Sequence, residues 1–224
     1  MTHPTHHAIA IDGPAASGKS TLARELARRL GLVMVNSGTM YRAVTWAAIS
    51  NAIDPDDSPA VIRMLDTLDI TCGHDGTSST IQINGTTPSE ETLRAENVNN
   101  AVSAIAAIPQ VRDRLVALQR DYLNHTSIVM EGRDIGSIVF PDTPFKIYVT
   151  ADESVRAERR RAMGEVDSVA TRDAADSGRK TAPLIIADGA TVLDNSHHSV
   201  DSGVNAAIHI LIQQGWKQPI QTKD

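Results

Sequence analysis

Gly13-Pro14-Ala15-Ala16-Ser17-Gly18-Lys19-Ser20-Thr21 is the stretch that decides the fold. It has the P-loop spacing, Gly, four residues, then Gly-Lys-Ser/Thr. A short apolar run, Ala8 to Ile11, precedes it and suits a buried parallel strand. Leu22, Leu26 and Leu30 follow at every fourth position, as on the inward face of a helix. Strand, glycine turn and helix start leave the first backbone N–H groups without intrahelical partners, aimed where the helix dipole is positive. A polyphosphate fits that point, with Gly13 to Thr21 cradling it and Lys19 reaching its outer phosphates. The Ser20 hydroxyl is the candidate for Mg²⁺. A chance match in a glycine turn is the alternative, and the two correct flanks argue against it. The loop says that phosphate is bound, and leaves open what is done with it.

Composition narrows the class. A chain of 224 residues suggests one domain, with room for an insert. Hydrophobic residues make up 41% and aromatics only 3%, so aliphatic packing must dominate the core. A net charge of −6 supplies no positive field for nucleic acid or anionic lipid, so neither is expected as a partner. The single cysteine, Cys72, cannot close an internal disulfide and fits a reducing compartment. No apolar run approaches the ~20 residues needed to cross a bilayer, and Met1 to His7 is polar without a signal-peptide core. A cytoplasmic monomer with a frayed tail over residues 1–7 is the expectation, with no role assigned to any histidine.

Along the chain, Gly31 sits where a left-handed helix cap belongs. Leu32 to Val35 is a second strand, followed at once by Asn36-Ser37-Gly38-Thr39-Met40-Tyr41-Arg42. A strand meeting a small-residue turn and a helix is a ligand-facing position in an α/β sheet. There Tyr41 can stack and Arg42 can fork onto phosphate oxygens. The acidic run Asp54 to Asp57 reads as helix-capping loop rather than metal site. From Leu68 the texture changes. Leu68 to Cys72 and Thr80 to Asn84 read as β segments, and Asn84-Gly85 is a hairpin signal. Hairpins do not belong inside a βαβ series, so about 68–122 reads as an inserted lobe. Its helices carry Val98, Val102 and Ile105, then Val111, Leu115 and Leu118, on their apolar faces. Arg112 sits near the start of the second, against the dipole, which hints at a ligand or simply at solvent.

The sheet resumes with Ile128-Val129-Met130 and then Glu131-Gly132-Arg133-Asp134-Ile135-Gly136, again a ligand edge. Glu131 is a candidate to hold Mg²⁺ through water. Phe145 to Val149 and Thr191 to Leu193 supply the fourth and fifth strands. Arg159-Arg160-Arg161 reads as a solvated face, and residues 162–182 have the polar, glycine-bearing character of a lid. The expectation is therefore an α/β protein of the P-loop NTPase fold. Its core, residues 8–67 and 123–224, would hold a five-stranded parallel sheet flanked by helices, interrupted by a lobe with a small antiparallel sheet. Phosphate-type sites at residues 13–21 and at Ser37 to Arg42 with Arg133-Asp134 describe transfer between two bound molecules. Neither an Asp-x-x-Gly after an apolar strand nor an Asn-Lys-x-Asp is present, which argues against a GTPase. A nucleotide-dependent switch and another small-metabolite kinase stay open at this point.

The pieces IDGPAASGKST, NSGTMYR, the lobe ending in IPQVR, EGRDIG, VFPDTPFKIYV, RDAADSGRKTAPL and ADGATVLDNS together resemble the bacterial cytidylate kinases, a family of nucleoside monophosphate kinases. The likeness runs from Ala8 to about Gly215, and the lobe with EGRDIG is its specific part. It implies transfer of the γ-phosphoryl group from ATP, with Mg²⁺, to CMP or dCMP. It also implies that the lobe binds the nucleoside monophosphate, through Ser37, Tyr41, Arg42, Ser103, Arg112, Arg133, Asp134, Arg172, Asp176 and Arg179. By the same resemblance Ser103, Arg112 and Asp134 face the cytosine. Arg42, Arg133 and Arg179 grip phosphate, Arg172 and Asp176 approach the ribose, and Lys19, Arg133, Arg172 and Arg179 serve catalysis. A carboxylate accepts from the exocyclic amine of cytosine and repels the carbonyl of uracil, so the Asp134 assignment is chemically sensible. Three departures stand out. The segment between Arg161 and Arg172 is short, Ala174, Ala175 and Ser177 thin the charge of the flap, and Gly-Lys-Ser-Thr replaces Gly-Lys-Gly-Thr. Ser20 or Thr21 is thus able to supply the hydroxyl near Mg²⁺.

Overall fold

Short apolar strands alternating with amphipathic helices build the molecule, seen in a computed structural model that describes residues 6–162, 178 and 183–217. The elements are β1 (Ala8–Asp12), α1 (Lys19–Leu30), β2 (Val33–Asn36), α2 (Ser37–Ser50), α3 (Ser58–Thr67), β3 (Ile70–His74) and β4 (Ser79–Ile83). Then come α4 (Glu90–Leu93), α5 (Glu96–Ala107), α6 (Pro109–Asp121), β5 (Ile128–Gly132), β6 (Lys146–Thr150), α7 (Glu153–Ala162), β7 (Thr191–Asp194) and α8 (Val200–Gln213). Five strands form one parallel sheet in the order β2-β5-β1-β6-β7, and β3 with β4 makes a separate antiparallel pair. Every residue of β1 and β5 is buried, which is why Ala8 to Ile11 and Ile128 to Met130 read as apolar runs before the strands end in Asp12 and in Glu131-Gly132.

Helices α1 and α8 cover one face of the sheet, where Leu22, Leu26, Val204 and Leu211 meet Ile9, Ile11, Val129 and Ile147. On the other face Ala10, Val35 and Met130 pack with Ile135, Val139 and Phe140. A third cluster joins α2 to the small sheet and to α5 and α6, through Met40, Val44, Ile81, Ile105, Val111 and Leu115. Local chemistry sets the boundaries. Gly31 takes a left-handed φ of 65° and closes α1. The Asn36 side chain accepts from the Thr39 N–H to start α2, and Asp57 accepts from the Ala60 N–H to start α3.

The β3–β4 pair turns at Asp75 to Ser78, where the Asp75 carboxylate accepts the Thr77 and Ser78 N–H groups. Asn84-Gly85 forms the tight turn expected of it, with both φ values positive and Ile83 and Thr86 exchanging two backbone hydrogen bonds across it. One local expectation is corrected: His6 and His7 are not loose. His6 bonds the Leu123 carbonyl, and the His7 ring packs edge-on against Phe145 and Trp216. Among the described residues, no helix is long and apolar enough to cross a membrane.

Candidate active site

The ends of β1, β2 and β5 face one cleft of about 1030 Å³. The parallel register explains this, because parallel strands present their C-terminal ends, and the loops that follow, on a common edge. Beyond β1, the loop takes two left-handed residues that alternate with others, Ala16 at φ 57° and Gly18 at φ 89°. That alternation curls successive N–H groups towards one point, making an anion-binding nest at the start of α1. Gly13 cannot be replaced, since a Cβ there would stand 2.1 Å from the Val149 carbonyl oxygen. The Ser17 hydroxyl is fully buried and has no hydrogen-bond partner among the described residues, as expected of a group in a phosphate cradle.

Lys19 and Glu131 mark the floor of the cleft. The Lys19 ammonium donates to the Pro14 carbonyl at 3.1 Å and lies 4.0 Å from the Glu131 carboxylate. Ser20 Oγ donates to Glu131 Oε1 at 2.8 Å, and Ser37 Oγ donates to the Glu131 carbonyl at 2.9 Å. A hydroxyl and a carboxylate so placed are hard oxygen ligands, the donor set that suits Mg²⁺. Neighbouring Asp12 accepts two backbone bonds, from Ile135 N and Gly136 N, both at 2.7 Å. Burial raises its pKa to about 6, partly opposed by those two N–H groups and by Lys19, and reinforced by the charge of Asp134.

The far wall is a second constellation. Arg112, on α6, makes a buried ion pair with Asp134, just beyond β5. Its guanidinium also bonds the Ala106 carbonyl and lies 5.5 Å from the centre of the Tyr41 ring, over its face. The placement against the helix dipole is thus explained by a carboxylate from a different element. Arg42 Nε bonds Asn99 Oδ1 at 3.2 Å, while Ser103 and Arg133 line the same cleft. The cleft brings together Ala15, Ala16, Gly18 to Thr21, Ser37, Tyr41, Arg42, Ser103, Arg112 and Arg133-Asp134. Arg172, Asp176, Arg179 and most of the expected lid lie outside the described residues.

Sequence reasoning missed the support behind the loop. Arg159 is not on a solvated face: it donates to the carbonyls of Ala16, Ser17 and Asn195. Arg160 is buried and reaches the cleft. An arginine-rich helix has no apolar stripe to mark its inward side, so composition could not say which arginine turns in. Asn195, after β7, donates from Nδ2 to the Ser17 carbonyl at 2.9 Å. A second cavity of about 260 Å³ opens on this side of the loop, lined by Ala16, Gly18, Thr21, Arg159, Asn195 and His198 among others.

Comparison with known proteins is consistent over nearly the whole chain. The family model described as cytidylate kinase matches residues 9–213. A cytidylate kinase of Streptomyces avermitilis is 38% identical over 214 residues, covering 91% of this chain and 91% of that protein. One of Streptococcus pneumoniae is 42% identical over 199 residues, covering 84% of this chain and 89% of the relative.

Proposed function

This chain belongs to the cytidylate kinase family, and from that premise we propose how it carries the γ-phosphoryl group of ATP to CMP or dCMP, giving ADP and CDP or dCDP. The transfer is direct and in line, without a covalent enzyme intermediate or an obligatory general base. The protein's contribution is positioning and charge neutralisation. Residues Gly13 to Thr21 hold the donor phosphates, with Lys19 on the outer ones. Ser20, and Glu131 through water, would hold Mg²⁺, which neutralises phosphate charge when bound. Arg42 and Arg133 hold the acceptor phosphate, while Ser103, Arg112 and Asp134 read the cytosine and Tyr41 and Ser37 line its seat. Arg172, Asp176 and Arg179 come from the lid over residues 162–182, with Arg172 and Asp176 at the ribose. The lobe of residues 68–122 supplies the acceptor seat to the core of 8–67 and 123–224.

The observation that carries this reading is the single cleft lined by both Lys19 and the Arg112–Asp134 pair. A phosphate-only site needs no buried base-reading carboxylate, and a switch needs no second phosphate grip. We further propose a cytoplasmic monomer. The test follows ADP formation from ATP and Mg²⁺ with CMP, dCMP, UMP, AMP, GMP and shikimate as acceptors. Acceleration by CMP and dCMP far above the rest is expected, and equal rates with another acceptor would overturn the assignment of Asp134.

A further inference from the structure

The geometry points to Asn195 as a positioning residue for the donor nucleotide, acting through the backbone of the phosphate loop. The inference rests on the reading of Gly13 to Thr21 as the donor site. A loop that presents N–H groups to a phosphate must turn the carbonyls of the same peptides outward. Those outward carbonyls need partners, since a buried carbonyl left unpaired is penalised. Here the Ser17 carbonyl has two, Asn195 Nδ2 at 2.9 Å and Arg159 Nη1 at 3.2 Å. The Ala16 carbonyl accepts from Arg159 at 3.4 Å.

The arrangement is held tightly on every side. Asn195 N donates to the Thr150 carbonyl at 2.8 Å, tying the residue to the end of β6. Its own carbonyl accepts from Arg159 Nη2 at 2.9 Å. Its side chain fills a slot between two glycines: a Cβ on Gly18 would stand 2.4 Å from Asn195 Nδ2, and one on Gly203 would stand 3.1 Å from Oδ1. The slot admits this amide because Gly18 lacks a side chain, and Gly203 leaves it room on the other side. The loop also contains a strained residue, Ala16 at φ 57°, a conformation that L residues avoid unless the surroundings impose it. Arg156 on the Ala15 carbonyl and Arg159 on the Ala16 carbonyl hold the two peptides that flank Ala16, and Asn195 holds the next one, 17–18. Removing the Asn195 amide leaves the 17–18 peptide on the longer Arg159 bond alone, which loosens the Gly18 N–H in its aim at the phosphate. The acceptor seat at Arg112 and Asp134 is built from other elements and is left as it was.

The test is a split between the two substrates. Asn195→Ala and Asn195→Ser both lack the amide donor, and the serine variant retains a small polar group in the slot. Each is expected to raise KM and the dissociation constant for ATP about five- to tenfold, the share of one buried hydrogen bond. KM for CMP stays within about twofold. A merely structural role moves both constants together, so an equal rise for ATP and CMP would overturn the inference, as would an unchanged constant for ATP. Lys19→Ala, titrated with ATP beside them, separates this from failure of the donor-site reading. If Lys19→Ala binds ATP normally, the loop is not the donor site. If it loses ATP and the Asn195 variants do not, the inference alone fails.

Discussion

Substituting Asp134 by Asn removes the charge that, on the function proposed above, tells cytosine from uracil. The side chain is 5% exposed, and its partner Arg112 is 4% exposed. Asn keeps the shape and one acceptor oxygen, and removes the negative charge. Arg112 retains the Ala106 carbonyl and the Tyr41 face, so it is not stranded. The loss of stability should then be ~1–3 kcal/mol, below the ~3–5 kcal/mol of deleting one partner outright. For catalysis, a charge-assisted hydrogen bond to the exocyclic amine is worth ~1.5–3 kcal/mol, which is roughly 10- to 150-fold in kcat/KM for CMP. The Asn amide can donate to the uracil carbonyl, so UMP improves while CMP declines and the ratio shifts by more than either rate. Initial rates of ADP formation with CMP and UMP at saturating ATP and Mg²⁺ give that ratio, and a thermal melt confirms that the variant is folded. A folded Asp134→Asn protein with an unchanged CMP to UMP ratio would show that the base is read elsewhere.

Two further outcomes follow from the cleft. Lys19→Ala should leave the melting temperature near that of the parent and remove most turnover, and near-normal kcat in the coupled assay would sink its assignment to the donor phosphates. Asp12 gives a pH signature. Its folded pKa of about 6 lies above its ordinary 3.8, so its contribution to stability is fully present below about pH 3.8 and is lost as pH rises through 6. Measured by urea unfolding, the parent's advantage over Asp12→Asn should fall by ~1.4 kcal/mol between pH 5 and 7.5. A difference that is flat across that range would place the Asp12 pKa elsewhere.

Legibility tracked how local each feature is. The loop from Gly13 to Thr21 reads directly because strand, turn and helix are contiguous and every residue in it has a short-range reason. The strands read well because burial on both faces leaves an apolar run. The Asn84-Gly85 turn was legible as a local feature too, since the dipeptide tolerates the positive φ values that the turn between Ile83 and Thr86 needs. Arg112 was ambiguous from its helix position, because the carboxylate that explains it is 22 residues away. Asn195 and Arg159 carried no readable signal, since Asn195 lies 178 residues from Ser17 and meets it only when the sheet closes.

By itself, the sequence determined that a P-loop pattern ending in Lys19 opens a helix, that a parallel sheet carries it, and that a hairpin-bearing segment interrupts the series. Those are statements about neighbours in the chain, where spacing and residue type suffice. The tertiary structure decided the strand order β2-β5-β1-β6-β7, the pairing of Arg112 with Asp134, and the turning of Arg159 and Asn195 onto the back of the loop. Each of these depends on which side chains meet across space. A polar residue shows its partner only after packing has brought the two together and excluded the water that would otherwise serve.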